Sequence, residues 1–267
     1  MRVAVLGALA LLLSPAVQAV EGGGPMAVSP AVIGSAAAGC IAGAVALPPE
    51  GTGYQVLRLS RKRNFGHPDT VHVVESLART AAAEGLGLLL VGDMSQPRGG
   101  PMPFGHGSHQ SGIDVDIWFR LPEQGLAEPE REAPQPVSMV AGERVTAAWT
   151  PAQLRLLELA ARAPEVDRIF VNPAIKREVC RSGGADRQWL AKLRPWWGHD
   201  EHFHVRLSCP PGSEACEAQR PVPDGDGCGF ELASWFAKGP VAIPTAKPHH
   251  QTKPLPLACL QLLKHRP

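Results

Sequence analysis

The sequence has no excess of charge of either sign: 26 lysines and arginines face 25 aspartates and glutamates in 267 residues, a formal net charge of +1. That balance excludes a broad positive field for phosphate backbones. No stretch concentrates lysine and arginine with interleaved aromatics either, so nucleic acid is not an expected partner. Also missing is a run long enough to cross a bilayer: Val3 to Leu13 offers only 11 apolar residues, against the roughly 20 a spanning helix needs, and no later segment is longer and free of charge. The first cysteine is Cys40, too late for a lipid-anchor motif at the start of a mature chain. No two cysteines form a C-x2-C knuckle, which weakens a cysteine-based metal site.

What is present begins with a leader. Arg2, the apolar run and the small residues of Val17-Gln18-Ala19 have the layout of a removable secretory signal over residues 1–19, so residues 20–267 are expected as an exported, periplasmic chain. With 44% hydrophobic and 19% charged residues, that chain has a globular composition and reads as one domain. Its six cysteines, Cys40, Cys180, Cys209, Cys216, Cys228 and Cys259, are even in number and exported. They read most simply as three disulfides, with fifteen pairings open from the sequence alone. Cys209 and Cys216 are close enough for a local bridge.

Periodicity and punctuation outline the elements. Residues 20–39 read as an extended lead-in. Residues 68–84 form a helix that Pro68 and Asp69 begin and Gly85 ends. Residues 87–92 form a buried strand and 95–107 a Gly/Pro loop, and alternation from Ile113 to Phe119 places Asp114 and Asp116 on one strand face. Residues 122–148 read as a long surface loop. Thr150 and Pro151 open a helix, and 168–171, 173–181 and 187–193 read as strand, helix and short helix. His202 to Leu207 alternates strictly, with His202, His204 and Arg206 on one face. The Pro-rich stretch at about 238–258 is expected as an extended wrap pinned by Cys259. The fold class is α+β: a small, mostly antiparallel sheet carries the site, and helices and long loops surround it.

Five of the ten histidines fall in two clusters, His106 and His109 before one strand, and His199, His202 and His204 at another. If the strands are neighbours, His109, Asp116, His202 and His204 meet in one concavity. Two neutral imidazoles and one carboxylate are a ligand set for Zn²⁺ with an open position for water. The competing expectation is two solvated polar faces. His67 reads as a helix cap or packing residue, and His249 and His250 as exposed residues of the tail. Trp196 and Trp197 line a groove or divide between burial and exposure, and Arg206 pairs either with Asp114 or with a substrate carboxylate.

Three segments resemble the penicillin-insensitive murein endopeptidases, which are grouped with lysostaphin and the D-alanyl-D-alanine peptidases. They are Gly105-His106-Gly107-Ser108-His109-Gln110-Ser111-Gly112-Ile113-Asp114-Val115-Asp116-Ile117, Arg168-Ile169-Phe170-Val171-Asn172-Pro173-Ala174-Ile175-Lys176, and Arg194 to His199 continuing through His202 to Leu207. Phe65 to Asp69 and Gly225 to Gly229 extend the likeness over most of the mature chain. The resemblance implies one Zn²⁺ on His109, Asp116 and His204, with His202 as the catalytic histidine and His199 as its helper. His106 and Asp114 are then second-site or supporting residues. Glu201, the rival base, is turned away by strand alternation.

The resemblance further implies the pairings Cys40–Cys259, Cys180–Cys228 and Cys209–Cys216. A second metal is not assigned, because the family's Asp-x-x-His before the helix is replaced here by Val140-Ala141-Gly142-Glu143; Glu143 is the one substitute at hand. The implied activity is zinc-dependent DD-endopeptidase cleavage of the D-alanyl-meso-diaminopimelyl cross-link, without a serine nucleophile for β-lactams to acylate. The alternatives are a carboxypeptidase, an LD-endopeptidase, or a zinc-stabilised peptidoglycan-binding module. The expected partner is cross-linked peptidoglycan peptide, and a homodimer stays open.

Overall fold

The computed structural model describes residues 24–237 and 253–264. The leader at 1–19, most of the Pro-rich wrap, and His249 and His250 lie outside the described residues. In chain order the strands are β1 (Ala31–Ser35), β2 (Ala38–Ala42), β3 (Val45–Ala46), β4 (Glu50–Gly51), β5 (Tyr54–Val56), β6 (Phe65–Gly66), β7 (Leu89–Val91), β8 (Asp114–Trp118), β9 (Val140–Ala141), β10 (Arg144–Val145), β11 (Val166–Val171), β12 (Leu193–Pro195) and β13 (His202–Leu207). The helices are α1 (Pro68–Ala83), α2 (Glu128–Glu132), α3 (Pro151–Arg162), α4 (Pro173–Ser182), α5 (Phe230–Ala237) and α6 (Leu257–Lys264). The α+β class holds.

Seven strands form the central sheet in the order β12-β11-β13-β8-β7-β5-β4. Four of its six pairings are antiparallel; β11 with β12 and β5 with β7 run parallel. Alternation gives the middle strands two different faces. Val115, Ile117, Phe203 and Val205 point into the main apolar core with Val74 and Leu77 of α1 and Leu156 and Leu157 of α3. A fully buried side chain of this kind contributes about 1.5–3 kcal/mol. The opposite face carries Asp114, Asp116, His202, His204 and Arg206.

Helix starts follow the local chemistry. Thr150 and Gln153 form a capping box at α3 behind Pro151, satisfying amide groups that the first turn leaves open. Asn172 caps α4, its side chain accepting from the Ala174 amide at 2.9 Å. His67 caps α1 through the Asp69 amide and so is a structural residue, while His72 is exposed.

Several expectations are corrected. The lead-in expected as extended contains regular structure from Ala31 onward: β1 and β2 form an antiparallel hairpin, whose small residues carry little hydrophobic alternation. The hairpin braces the Gly/Pro loop, since the Ile41 amide donates to the Arg98 carbonyl and the Gln110 amide to the Ala36 carbonyl. The 122–148 stretch is not uniformly loop; it contains α2 and the small ladder of β9 with β10. Residues 188–192 form a 3-10 turn that passes directly into β12, because Leu193 is needed for pairing with Ile169. All three disulfides form as the resemblance implies, Cys40–Cys259, Cys180–Cys228 and Cys209–Cys216. The first fastens α6 to the hairpin.

Candidate metal centre

The register of the sheet makes the site. Antiparallel pairing sets His204 opposite Asp116 and Arg206 opposite Asp114 on β13 and β8, while Phe170 of β11 flanks His204 on its other side. His109 arrives from the loop. It holds a left-handed backbone, φ 63°, which a non-glycine residue adopts at a cost and which concentrates at functional positions. Its amide donates to Asp114 Oδ2 at 3.0 Å. Gly99 allows this loop to close, because a Cβ there would stand 2.0 Å from the Gln110 carbonyl oxygen.

Around Asp116 Oδ1 stand three imidazole nitrogens: His109 Nε2 at 3.3 Å, His204 Nδ1 at 3.6 Å and His202 Nε2 at 3.7 Å. Donors on a tetrahedral ion with bonds of about 2.0–2.1 Å lie about 3.3–3.4 Å apart. His109 and Asp114 are 0% exposed, and Asp116 and His204 are 4% exposed. The reading of two solvated polar faces is therefore overturned: Asp114, Asp116, His204 and Arg206 are buried, and His202 is part-exposed.

Hydrogen bonds assign the free lone pairs. His109 Nδ1 lies 2.8 Å from the Met94 carbonyl, which only accepts, so Nδ1 carries the proton and Nε2 presents its lone pair. His204 Nε2 lies 2.8 Å from Asp114 Oδ1, which leaves Nδ1 open. Yet His109 Nε2 and Asp116 Oδ1 are buried with no hydrogen-bond partner among the described residues. Each such orphan costs about 1–3 kcal/mol. A cation among these donors removes that cost, so the residues present fit a metal.

The electrostatics point the same way. Burial pushes the Asp116 carboxyl up, but His109, His202 and His106 outweigh it and hold the group well below its ordinary range. Burial works against a charge on His109, but Asp116 and Asp114 raise its pKa. Burial drives His204 down to about 3 despite Asp114. The pocket around Asp116 thus favours positive charge beside this carboxylate.

His106 also joins the cluster, since its donor atom, with those of His109 and Asp116, falls within 4.8 Å of the others. Its Nε2 lies 3.4 Å from Asp116 Oδ2 and 3.2 Å from Asp93 Oδ2. Asp93 is a residue that sequence reading passes over. Buried beyond β7, it takes Arg63 at 2.7 Å and Arg61 at 3.2 Å, and burial opposed by His106 and Arg63 leaves its pKa at about 2. His106 thus stands with His109 and Asp116 as a group of three donors that could hold a metal ion. The one sequence signal for Asp93 is an acid directly after an apolar strand and before a Gly/Pro loop.

The remaining candidates separate clearly. His199 has a left-handed φ of 51° and is tied down from two sides: its Nδ1 faces the Trp197 carbonyl at 2.9 Å, and its own carbonyl accepts from the Asn172 amide at 3.0 Å. Its ring stands 5.1 Å from that of His202. Glu143 instead pairs with Arg177 on the surface, and Glu201 accepts from the Phe119 amide through its backbone carbonyl, while its carboxylate acts on Arg58. Trp196 and Trp197 do not divide between burial and exposure; they are 50% and 49% exposed. Trp196 edges a cavity of about 650 Å³ that His199, His204, Phe170, Arg168 and Arg206 also line.

Comparison with known sequences gives the family. The family described as "Penicillin-insensitive murein endopeptidase" matches residues 32–264. A protein of that name from Yersinia pestis bv. Antiqua (strain Antiqua) is 49% identical over 243 residues, covering 90% of this chain and 87% of the relative. Similar matches come from Klebsiella pneumoniae (strain 342), 47% identical over 90% of this chain and 88% of the relative, and from Haemophilus influenzae (strain ATCC 51907 / DSM 11121 / KW20 / Rd), 48% identical over 86% and 82%. Both carry the same name.

Proposed function

This chain belongs to the penicillin-insensitive murein endopeptidase family, and from that premise we propose that it is a zinc-dependent murein DD-endopeptidase cutting the D-alanyl-meso-diaminopimelyl cross-link of peptidoglycan. The observation that carries the metal is the orphaned Asp116 Oδ1 amid three imidazole nitrogens. The proposed ligands are His109 Nε2, Asp116 Oδ1 and His204 Nδ1. Murein lies outside the cytoplasmic membrane, and no described helix is long and apolar enough to cross one; the periplasm is the proposed compartment.

A bound Zn²⁺ would supply a Lewis acid for the scissile carbonyl and would lower the pKa of a water toward roughly 7. The protein supplies the rest. Asp114 orients two ligands at once, receiving the His109 amide and the His204 ring. His202, part-exposed beside Asp116, stabilises the tetrahedral oxyanion or passes a proton to the leaving amine, work typically contributing 10²–10⁴-fold. His199 lies behind it, its ring fixed by the Trp197 carbonyl, and orients His202 or the substrate. The exposed Trp196 offers an apolar wall for the peptide strands.

The deciding experiment is mass spectrometry of purified cross-linked muropeptide dimers incubated with the mature protein, with chelator and with zinc restored. Conversion of dimers to monomers that stops with chelator and returns with zinc is expected. Intact dimers from a folded, zinc-loaded protein would overturn the endopeptidase and leave a binding module. Loss of a terminal D-alanine instead would indicate a carboxypeptidase, and cleavage at an L,D bond an LD-endopeptidase.

A further inference from the structure

Directly beside the donor rank Phe170, His204 and Asp116 runs a second rank, Arg168, Arg206 and Asp114, in register across β11, β13 and β8. Arg206 is 6% exposed. Its Nε donates to Asp114 Oδ1 at 2.5 Å, and its guanidinium stands 5.1 Å from the Phe170 ring centre. Its two terminal nitrogens donate no hydrogen bond to any described residue, although the side chain lines the cavity shared with His199 and His204. Arg168, next to it, spends Nε on Asp167 and one terminal nitrogen on the Arg220 carbonyl. Asp114 cannot answer both arginines, since it already accepts from the His109 amide and the His204 ring. A nearly buried guanidinium with an open fork is incomplete, and the group that completes such a fork is a planar anion held bidentately.

We infer that Arg206, backed by Arg168, is the substrate-carboxylate subsite, and that it takes the carboxylate on the carbon bearing the scissile nitrogen. This rests on the proposed reaction, in which the diaminopimelyl side carries such a carboxylate. Spacing supports the choice. Arg206 sits one same-face step along β13 from His204, about 7 Å, and a group one residue-length beyond the scissile carbonyl, about 3.5 Å away, falls within reach of a side chain extending from that step. Arg206 therefore has two roles, with Nε holding Asp114 in place and the terminal nitrogens selecting substrate.

The test compares two synthetic cross-linked peptides that differ only in a free carboxylate or a carboxamide on that carbon. Amidation changes nothing in the protein, and a kcat/KM ratio taken within each protein cancels any general damage to the centre. The zinc-loaded wild type is expected to favour the carboxylate about 10- to 100-fold, as loss of one charge-assisted partner predicts. In Arg206→Lys the ratio should fall below about 3-fold. A wild-type ratio near one, or a ratio undiminished in Arg206→Lys, would overturn the assignment. If the wild type cuts neither peptide, the reaction is wrong and calorimetric binding of the two amine products decides the subsite. Preference for the carboxylate that Arg206→Lys abolishes sustains the subsite, and equal binding removes it.

Discussion

Asp114 and Asp116 stand two residues apart on one face of β8, both buried, and their surroundings differ completely. Asp114 is saturated: the His109 amide holds one oxygen, and the His204 ring and Arg206 share the other. Asp116 has an oxygen with no hydrogen bond at all, although three histidines crowd it. A saturated buried carboxylate fixes geometry, and an unsaturated one keeps a place for a cation. The same strand face thus holds a scaffold position and a proposed ligand position one step apart.

Substituting the two aspartates should break this contrast in opposite ways. Asp116→Ala is expected to lose stoichiometric zinc and to lower muropeptide turnover about 10³-fold or more, read by metal analysis and mass spectrometry. Its chelated form should be destabilised less than chelated Asp114→Ala, since it loses ion-pair contacts to histidines but leaves no buried arginine without its hydrogen-bonded counter-charge. Full turnover by zinc-free Asp116→Ala would discard the centre. Asp114→Ala should instead destabilise the chelated protein by about 3–5 kcal/mol, because Arg206 loses its buried counter-charge, and weaken zinc binding about 10- to 100-fold. Equal melting of chelated Asp114→Ala and chelated Asp116→Ala would erase the distinction.

His202 sharpens the contrast from the side of chemistry. Its Nε2 stands 3.7 Å from Asp116 Oδ1, a little farther than the nitrogens of His109 and His204, and the side chain is part-exposed toward solvent. His202→Ala should keep one zinc per chain while turnover drops about 10²- to 10⁴-fold. Loss of zinc in that variant would move His202 into the ligand set and reassign the proton-handling role.

How much of this was legible beforehand depended on whether the signal was local. Strict alternation from His202 to Leu207 marks β13 residue for residue, and the same rule puts Asp114 and Asp116 on one face. Thr150 with Pro151, and Asn172 with Pro173, announce helix starts that the structure contains. The convergence of His109, Asp116 and His204 follows once β8 and β13 are neighbours, but only register over long sequence separation makes them so. The β1–β2 hairpin, built of Gly, Ala and isolated β-branched residues, carries no alternation to read, and the parallel pairing of β5 with β7 has no local signature. Asp93 is missed for a similar reason: a single acid becomes informative only when Arg63 and His106 are brought to it from either side.

Asp93 yields the smallest expected effect. Its ordinary pKa of 3.8 falls to about 2 in the fold, where burial is outweighed by hydrogen bonds from His106 and Arg63. A carboxylate bound more tightly as the anion in the folded state stabilises the fold fully above its unfolded pKa. That contribution is then lost as pH falls toward the folded value. The window is therefore about pH 4 down to about pH 2, and the contribution is about 2 kcal/mol. Denaturant unfolding of wild type and Asp93→Asn, both chelated, should differ by about that amount at pH 6 and converge as pH falls through the window. The variant's own curve should be correspondingly flatter there. A constant gap across the window would mean that Asp93 acts through packing alone. A gap that closes would show that its charge fastens Arg63 and His106 beside Asp116, and a charge-paired carboxylate would then lie on each flank of the one with an orphaned oxygen.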